Sequence, residues 1–251
     1  MEYFNFSNRV AIVTGGSRGL GKAMALGLAE CGANVVIADV LENEQTIEEI
    51  KRFGHGALFV KTDVTKKRDV DNLVKRTVEN FGKLDILVNN AGIFVAGPAE
   101  EVDEKTWDKI MNVNLKGQFL CAQAAGREMM KRRYGKIINI ASIAGKSAFN
   151  QGLVYNVTKA GIIMLTKSLA AEWGRFNVQV NAIAPGIFKT DMTNDLLGTD
   201  AIKQMIKNSV PLQRFAEPNE LVTTVLYLAS EVSTYITGET ITVDGGWTCH
   251  L

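Results

Sequence analysis

A tyrosine and a lysine stand four residues apart in the segment GLVYNVTKAGIIML, which begins at Gly152. The apolar second half of this segment predicts a buried helix. On a helix, residues i and i+4 share one face, so Tyr155 and Lys159 would project side by side. An ammonium one turn away stabilises a phenolate and lowers the phenol pKa from about 10. The pair is therefore a candidate acid/base group, although the same spacing also arises by chance at a solvated helix start.

A glycine-rich turn follows the first predicted strand. The stretch TGGSRGLG places Gly15, Gly19 and Gly21 in the pattern G-x-x-x-G-x-G. Glycines let a backbone approach a pyrophosphate closely, and the N-terminus of the following helix favours negative charge. The turn predicts a dinucleotide site, and the alternative is a tight turn that binds no ligand.

Asp39 supports the dinucleotide interpretation. It ends the second apolar strand and follows Gly21 by 18 residues, close to the ~20 expected for the acid that hydrogen-bonds the adenosine ribose. A carboxylate there repels the 2′-phosphate of NADP, whereas Arg18 could pair with that phosphate. An unpaired carboxylate facing phosphate is costly, but an arginine can turn to solvent. We therefore expect NAD(H) to be preferred, with NADP(H) as the alternative.

The elements that must position these residues alternate along the whole chain. Short apolar runs rich in β-branched residues, such as RVAIVT and NVVIAD, are followed by helical patterns. Apolar strands without strict alternation are typical of a parallel sheet covered by helices. We expect one doubly wound, Rossmann-type α/β domain over residues 1–251, with a mostly parallel sheet of about seven strands and helices on both faces. Residues 189–217 look least ordered and are the expected substrate lid.

Composition excludes several classes of protein. The 251 residues carry a net charge of +1, which does not favour binding to nucleic acid or to an anionic membrane. No apolar run approaches the ~18–20 residues that span a bilayer, and the first residues lack the features of a signal peptide. Three distant cysteines fit a reducing compartment. We therefore expect a cytoplasmic protein. We also expect no metal site, because neither histidine has a second ligand at metal-binding spacing.

Four motifs occur in order on the predicted elements: TGGSRGLG, NNAG, IASIAG with YNVTK, and APGIFKT. Together they resemble the short-chain dehydrogenase/reductase family, and the resemblance extends from Arg9 to Gly246. It implies an enzyme that transfers hydride between a nicotinamide cofactor and a small-molecule alcohol or ketone. It also implies that Tyr155 and Lys159 are the catalytic acid/base pair.

The resemblance implies a role for each matching catalytic residue. Tyr155 would exchange a proton with the substrate oxygen, and Lys159 would bind the nicotinamide ribose and lower the phenol pKa. Ser142 lies 13 positions before the tyrosine and would orient the substrate carbonyl. Asn114, in NVNLKG, would hold a water molecule in a proton relay.

The resemblance also implies a set of cofactor contacts. Asp63 would contact adenine, Asn90 would lie near the adenosine, and the loop PGIFKT would bind the nicotinamide carboxamide. The expected cofactor-binding residues are Gly15, Ser17, Arg18, Gly19, Leu20, Gly21, Asp39, Asp63, Val64, Asn90, Ala91, Gly92, Tyr155, Lys159, Pro185, Gly186, Phe188 and Thr190.

The substrate class is less defined. The stretch LAAEWGRFNVQVNAIAPGIFKTDMT and the ending VDGGWT look most like the gluconate 5-dehydrogenase branch, which acts on sugar acids. In that branch an arginine suited to a carboxylate typically follows NNAGI. Here Phe94, Val95 and Ala96 follow, which favours a less polar ketone. Phe149 is equally compatible with a substrate-site wall and with the core.

Two alternative functions remain. A 3-oxoacyl-carrier-protein reductase is the alternative enzyme. A catalytically silent nucleotide-binding scaffold is the alternative of another class, which the intact catalytic residues disfavour.

The helix that carries the catalytic pair also predicts assembly. Between Tyr155 and Trp173 it is apolar on more than one face. One face can pack on the sheet, so we expect a partner subunit to cover the other. Members of the family are usually tetramers built in this way, with residues 104–134 beside this helix. We expect a homotetramer, with a dimer as the alternative.

Overall fold

Seven β-strands form one sheet in the computed structural model, which describes residues 4–190, 193 and 199–249. The strand order is β3-β2-β1-β4-β5-β6-β7, and every neighbouring pair is parallel. This confirms the predicted doubly wound sheet. The strands are β1 (Val10–Thr14), β2 (Asn34–Asp39), β3 (Ala57–Lys61), β4 (Ile86–Asn89), β5 (Gly135–Ile140), β6 (Val178–Pro185) and β7 (Thr240–Val243).

Helices cover both faces of the sheet, which explains why the strands are apolar throughout. Along β1, Ala11 and Val13 join the core on one face, whereas Ile12 joins the core on the other. The first face carries α1 (Gly19–Glu30), α2 (Glu44–Lys51) and α8 (Asn219–Ala229), and the second carries α3 (Lys67–Phe81), α4 (Glu104–Ile110), α5 (Gly117–Arg132) and α6 (Leu153–Trp173).

The long helix predicted for residues 104–134 is interrupted in its first half. Between α4 and α5, Met111–Lys116 form a π-helical segment, which contains Asn114. A π segment is uncommon and often lies at a functional site. Apolar periodicity does not reveal it, because the segment is flanked by regular helix on both sides.

The expected lid contains a helix that the sequence pattern did not predict. This helix, α7 (Asp200–Ser209), begins after Thr199, whose side chain accepts a hydrogen bond from the Ile202 N–H. Residues 191, 192 and 194–198 of the expected lid lie outside the described residues. In the described part of the chain, no helix is both long and apolar enough to cross a membrane.

Candidate active site

The predicted site residues meet at one edge of the sheet. Because all strands are parallel, their carboxyl ends share an edge, and the loops after β1, β2, β4, β5 and β6 carry the predicted motifs. The strand order runs from β1 toward β2 in one direction and toward β4 in the other. The strand order thus reverses direction between β1 and β4, and the crevice at such a reversal is the usual ligand site of an open α/β sheet.

The glycine-rich turn after β1 requires glycine at three positions. Gly15 and Gly19 have φ values of +62° and +56°, in the left-handed region that disfavours side chains. A Cβ atom at Gly21 would lie 2.0 Å from the carbonyl oxygen of Gly15. The three glycines therefore let the turn fold tightly against the start of α1.

The start of α1 suits a pyrophosphate. Arg18 is the N-cap residue, its side chain makes no capping hydrogen bond, and the first turn contains no acidic residue. The first N–H groups of a helix need an acceptor, and an anion can supply it. Ser17 uses both its hydroxyl, which donates to the Leu41 carbonyl oxygen at 2.7 Å, and its backbone N–H, which donates to Asp39 at 3.2 Å, so its contact with a cofactor stays a prediction. The Leu20 side chain packs against the core, which leaves its backbone available to a cofactor. The turn therefore fits a dinucleotide.

Asp39 lies against this turn. Its two carboxylate oxygens accept hydrogen bonds from the backbone N–H groups of Ser17 and Leu41, each at 3.2 Å. An ionised carboxylate has about four lone-pair sites, so acceptor capacity remains for ribose hydroxyls. Arg18 is exposed.

Asp63 and Val64 form a rigid turn after β3. One Asp63 oxygen accepts hydrogen bonds from the Thr65 backbone N–H at 3.0 Å and from its hydroxyl at 2.7 Å, and the other faces the Lys66 ammonium at 3.2 Å. Burial tends to raise the pKa of Asp63, but the Thr65 hydrogen bonds and the Lys66 charge outweigh it and hold this pKa below its usual value. The Val64 side chain is buried in the core. Contact of these residues with adenine stays a prediction.

Asn90 braces the glycine-rich turn, a role that the sequence did not suggest. Its side-chain amide donates to the carbonyl oxygens of Thr14 at 3.0 Å and Gly15 at 3.1 Å. The backbone N–H groups of Asn90 and Ala91 both donate to the Thr14 hydroxyl. The loops after β1 and β4 are thus joined where the crevice opens, with Gly92 following directly.

The loop after β6 closes toward the same turn. A Cβ atom at Gly186, which follows Pro185, would lie 2.8 Å from the Asp244 Cα, so this position favours glycine. The Phe188 side chain is buried in the core, which leaves only its backbone for a cofactor. The Thr190 side chain lies 3.7 Å from where a Cβ at Gly19 would be.

Tyr155 and Lys159 lie on the first two turns of α6, on one face as predicted. The Lys159 Nζ lies 5.3 Å from the centroid of the Tyr155 ring and donates to the Ile140 carbonyl oxygen at 2.8 Å. Lys159 is buried, and burial lowers its pKa to about 7. Of the three ammonium N–H groups, one is used by Ile140, and the others are available to a ligand.

The phenol of Tyr155 has a raised pKa in this structure. Burial raises it, and a hydrogen bond with the Ser142 hydroxyl acts in the opposite direction without reversing the shift. Removal of water from around the phenolate is therefore the dominant influence. Lys159 is not among the causes of this shift, so the predicted lowering of the Tyr155 pKa by Lys159 is not found in this structure. Ser142 also accepts a hydrogen bond from the Ala144 N–H at 3.1 Å.

Asn114 clamps the π segment to the loop after β4. Its side-chain oxygen accepts from the Ile93 N–H at 2.8 Å, and its amide donates to the Ile93 carbonyl at 2.8 Å and to the Thr158 hydroxyl at 3.3 Å. Both amide hydrogens are thus used within the protein. The predicted role of Asn114 in holding a water molecule stays a prediction.

Two phenylalanines flank Tyr155. The Phe94 ring meets the Tyr155 ring edge-on, with centroids 5.3 Å apart, and the Phe149 ring lies 6.2 Å from it. Phe94 and Phe149 also contact each other, at 6.0 Å, and Phe149 is 41% exposed. We call this pair the aromatic wall. The sequence left the place of Phe149 open, and the structure puts it beside Tyr155.

This arrangement can perform carbonyl reduction and its reverse. Hydride transfer to a ketone builds negative charge on the oxygen, which requires a proton donor and a polarising hydrogen bond. Tyr155 can supply the proton, and Ser142 can supply the second hydrogen bond. A bound nicotinamide would supply or accept the hydride.

Known proteins share this architecture. A family model described as enoyl-(acyl carrier protein) reductase matches residues 15–248. A subunit of (2S)-[(R)-hydroxy(phenyl)methyl]succinyl-CoA dehydrogenase from Thauera aromatica is 41% identical over 241 residues, which are 95% of this chain and 96% of that protein. A 3-oxoacyl-[acyl-carrier-protein] reductase from Staphylococcus epidermidis is 41% identical over 242 residues, covering 95% of this chain and 98% of that protein.

A solved structure gives the same result. The crystal structure of a gluconate 5-dehydrogenase from Burkholderia cenocepacia J2315, in complex with NADP and tartrate, matches with a TM-score of 0.95 and 36% identity. The match covers 100% of this chain and 99% of that one. The chain therefore belongs to the short-chain dehydrogenase/reductase family and is an NAD(P)-dependent oxidoreductase that acts on CH–OH groups.

Proposed function

We propose that this enzyme uses NAD(H) in preference to NADP(H) and interconverts a secondary alcohol with a ketone that carries an apolar, ring-sized group beside the carbonyl. The aromatic wall is the observation that carries the proposal, because Phe94 and Phe149 flank the phenol that would meet the substrate oxygen. Aromatic side chains favour apolar and aromatic partners.

The catalytic roles follow from the position of each residue. Tyr155 exchanges a proton with the substrate oxygen, and Ser142 donates a hydrogen bond to that oxygen. Lys159 directs its unused N–H groups to the nicotinamide ribose, and Asn114 holds the π segment in register with the loop after β4. Asp39 accepts hydrogen bonds from the adenosine ribose and disfavours a 2′-phosphate.

The substrate class is supported by two independent points. First, Phe94, Val95 and Ala96 stand where a sugar-acid enzyme typically offers an arginine for the carboxylate. Second, a relative of 41% identity is named for a secondary alcohol that bears a phenyl group. Two alternative substrates remain. One is a sugar acid, because the chain is similar to a gluconate 5-dehydrogenase, and the other is a 3-oxoacyl group, because the chain is similar to a 3-oxoacyl-[acyl-carrier-protein] reductase.

A panel of substrates tests the proposal. We would measure kcat/KM for an aryl alkyl ketone, for 5-keto-D-gluconate and for acetoacetyl-CoA, each with NADH and with NADPH. The proposal predicts the highest value for the aryl ketone with NADH. A higher value for 5-keto-D-gluconate or acetoacetyl-CoA would assign the enzyme to the corresponding alternative.

The outer face of α6 supports assembly into a homotetramer. Leu153, Val157 and Met164 form an apolar stripe along this face and are 41%, 40% and 60% exposed. Phe119, on the neighbouring α5, is 37% exposed. Burial of such a stripe against a second copy would stabilise the helix that carries the catalytic pair. We also propose a cytoplasmic location, on the basis of the three free cysteines.

A further inference from the structure

Lys159 and a buried glutamine, Gln118, donate hydrogen bonds to the same carbonyl oxygen. The Ile140 carbonyl oxygen accepts from the Lys159 Nζ at 2.8 Å and from the Gln118 Nε2 at 3.2 Å. The two nitrogens therefore lie no more than 6.0 Å apart, the sum of these distances. Ile140 ends β5 and precedes Ser142 by two residues, so this carbonyl lies at the centre of the catalytic group.

Packing alone does not account for a glutamine at position 118. Gln118 is 1% exposed, and its Oε1 has no hydrogen-bond partner among the described residues. A buried acceptor without a partner destabilises a fold. Methionine has a similar size and would avoid that cost. A residue that lowers the stability of the fold at a buried position is often kept for a function.

A buried polar network holds Gln118 in place. The Asn89 side-chain amide donates to the Gln118 backbone carbonyl at 2.9 Å and to the Asn139 side-chain oxygen at 3.0 Å. The Asn139 amide in turn donates to the Thr166 hydroxyl at 2.9 Å. These bonds fix the first turn of α5 to β4, β5 and α6. Gln118 thus meets the Ile140 carbonyl from a rigid support.

We propose that Gln118 is a positioning residue for the catalytic Lys159. By donating to the Ile140 carbonyl, Gln118 holds the oxygen at the point where it anchors the ammonium, and the remaining Lys159 N–H groups then face the nicotinamide ribose. The inference rests on the proposed function, because the ribose contact of Lys159 belongs to it. Without the Gln118 amide, the carbonyl loses one of these two donors and the end of the lysine side chain gains freedom.

Neutral groups surround the Lys159 ammonium on the elements packed against it. Its own helix contributes the titratable Tyr155, β5 and its following loop contribute the Ile140 carbonyl and Ser142, and α5 contributes Gln118. Burial is the cause of the low pKa of Lys159. A carboxylate at position 118 would therefore be the main charge near this ammonium.

A comparison of NADH and AMP binding to Gln118→Met distinguishes a loss of Lys159 positioning from disruption of the whole nucleotide site. NADH reaches Lys159, whereas AMP occupies only the adenosine end beside Asp39. We expect Gln118→Met to weaken NADH binding and to lower kcat, each by about tenfold, the effect that corresponds to the loss of one intramolecular hydrogen bond, and to leave AMP binding within about twofold. Gln123→Met, on the same helix, is the matched control and should change neither. Equal losses for NADH and AMP, or no loss for either, would overturn the inference.

A second variant keeps the test decisive if Gln118→Met does not fold. Gln118→Glu can donate to Ile140 as a neutral acid or attract the ammonium as a carboxylate, so NADH binding at pH 6 should stay close to wild type. The pH at which NADH binding weakens should rise, because a nearby negative charge raises the pKa of a lysine. NADH binding at pH 6 that is about tenfold weaker than in wild type, with AMP binding unchanged, would contradict the inference. Turnover of wild type and its loss in Tyr155→Phe test the proposed function separately, since the NADH and AMP comparison requires no turnover.

Discussion

The Lys159 ammonium lies 5.3 Å from the centroid of the Tyr155 ring and 2.8 Å from the Ile140 carbonyl oxygen. One buried cation therefore joins the helix α6 to the end of the strand β5. With the proposed contact between Lys159 and the nicotinamide ribose, the charge state of Lys159 would couple cofactor binding to pH.

Affinity for NADH should fall as the pH rises through neutrality. Burial lowers the pKa of Lys159 to about 7, so the free enzyme carries the ammonium below that pH and the neutral amine above it. Only the ammonium attracts the ribose hydroxyls strongly, and binding above pH 7 must take up a proton. We expect the Kd of NADH to rise by up to about tenfold per pH unit above pH 7.

Lys159→Met is the control for this pH dependence. Its NADH affinity should be weaker than that of wild type at pH 6 and nearly constant up to pH 8.5, because no group remains to titrate at this position. Fluorescence titration of NADH across the pH range measures both proteins. A wild-type Kd that does not change with pH would show that Lys159 is not the binding cation.

Asp39→Ala should relax the preference for NADH. The substitution removes a carboxylate held beside the glycine-rich turn by the Ser17 and Leu41 N–H groups, and with it the repulsion of a 2′-phosphate. We expect the ratio of kcat/KM for NADH to that for NADPH to fall by at least about tenfold. Arg18→Ala is the complementary control and should lower activity with NADPH alone. A wild-type enzyme that already prefers NADPH would contradict the assignment of Asp39.

The sequence predicts the sheet and the site motifs because both depend on local patterns. Apolar runs locate the seven strands, and glycines in left-handed or crowded positions locate the nucleotide turn. Roles that depend on distant contacts are absent from any local pattern. Three such contacts join segments that are far apart in the chain. Asn114 binds the backbone of Ile93, and Asn90 binds the turn after β1. Gln118 and Lys159 donate to the same carbonyl oxygen.

Two differences from the sequence predictions have physical causes. The helix α7 lies within the expected lid because Thr199 caps a short amphipathic segment whose Ile206 is buried. The pKa of Tyr155 is raised rather than lowered, because burial of the phenol outweighs the hydrogen bond with Ser142. The extent of burial, of Ile206 as of the Tyr155 phenol, cannot be obtained from residue spacing alone.

Phe149→Leu should reduce the preference for aromatic substrates. The substitution keeps an apolar side chain but removes the ring that contacts Tyr155 and Phe94. Loss of one aromatic pair corresponds to about 0.5–1.5 kcal/mol, or about a 2- to 12-fold lower kcat/KM for an aryl ketone. The value for a short aliphatic ketone should change little. An equal reduction for both ketones would place Phe149 outside the substrate site.

Met164→Asp should dissociate the proposed tetramer. Met164 is 60% exposed in the single chain, and a charge there would be buried without a partner in an interface built on α6. Asn80→Asp, on an exposed position of α3, is a control for the added negative charge and should remain assembled. Sedimentation equilibrium at micromolar concentration measures both. A fully active wild-type monomer would contradict the proposed assembly.

Transfer of hydride from bound NADH in Tyr155→Phe tests the central claim most directly. The substitution removes the proton donor and little volume, and Tyr235→Phe, at a fully exposed position, is the control. After NADH is bound and an aryl ketone is added, we expect single-turnover loss of NADH absorbance to be about 10²- to 10⁴-fold slower than in wild type, while the Kd of NADH stays within about threefold. A Tyr155→Phe enzyme that retains more than a tenth of the wild-type rate would show that Tyr155 is not the acid/base group.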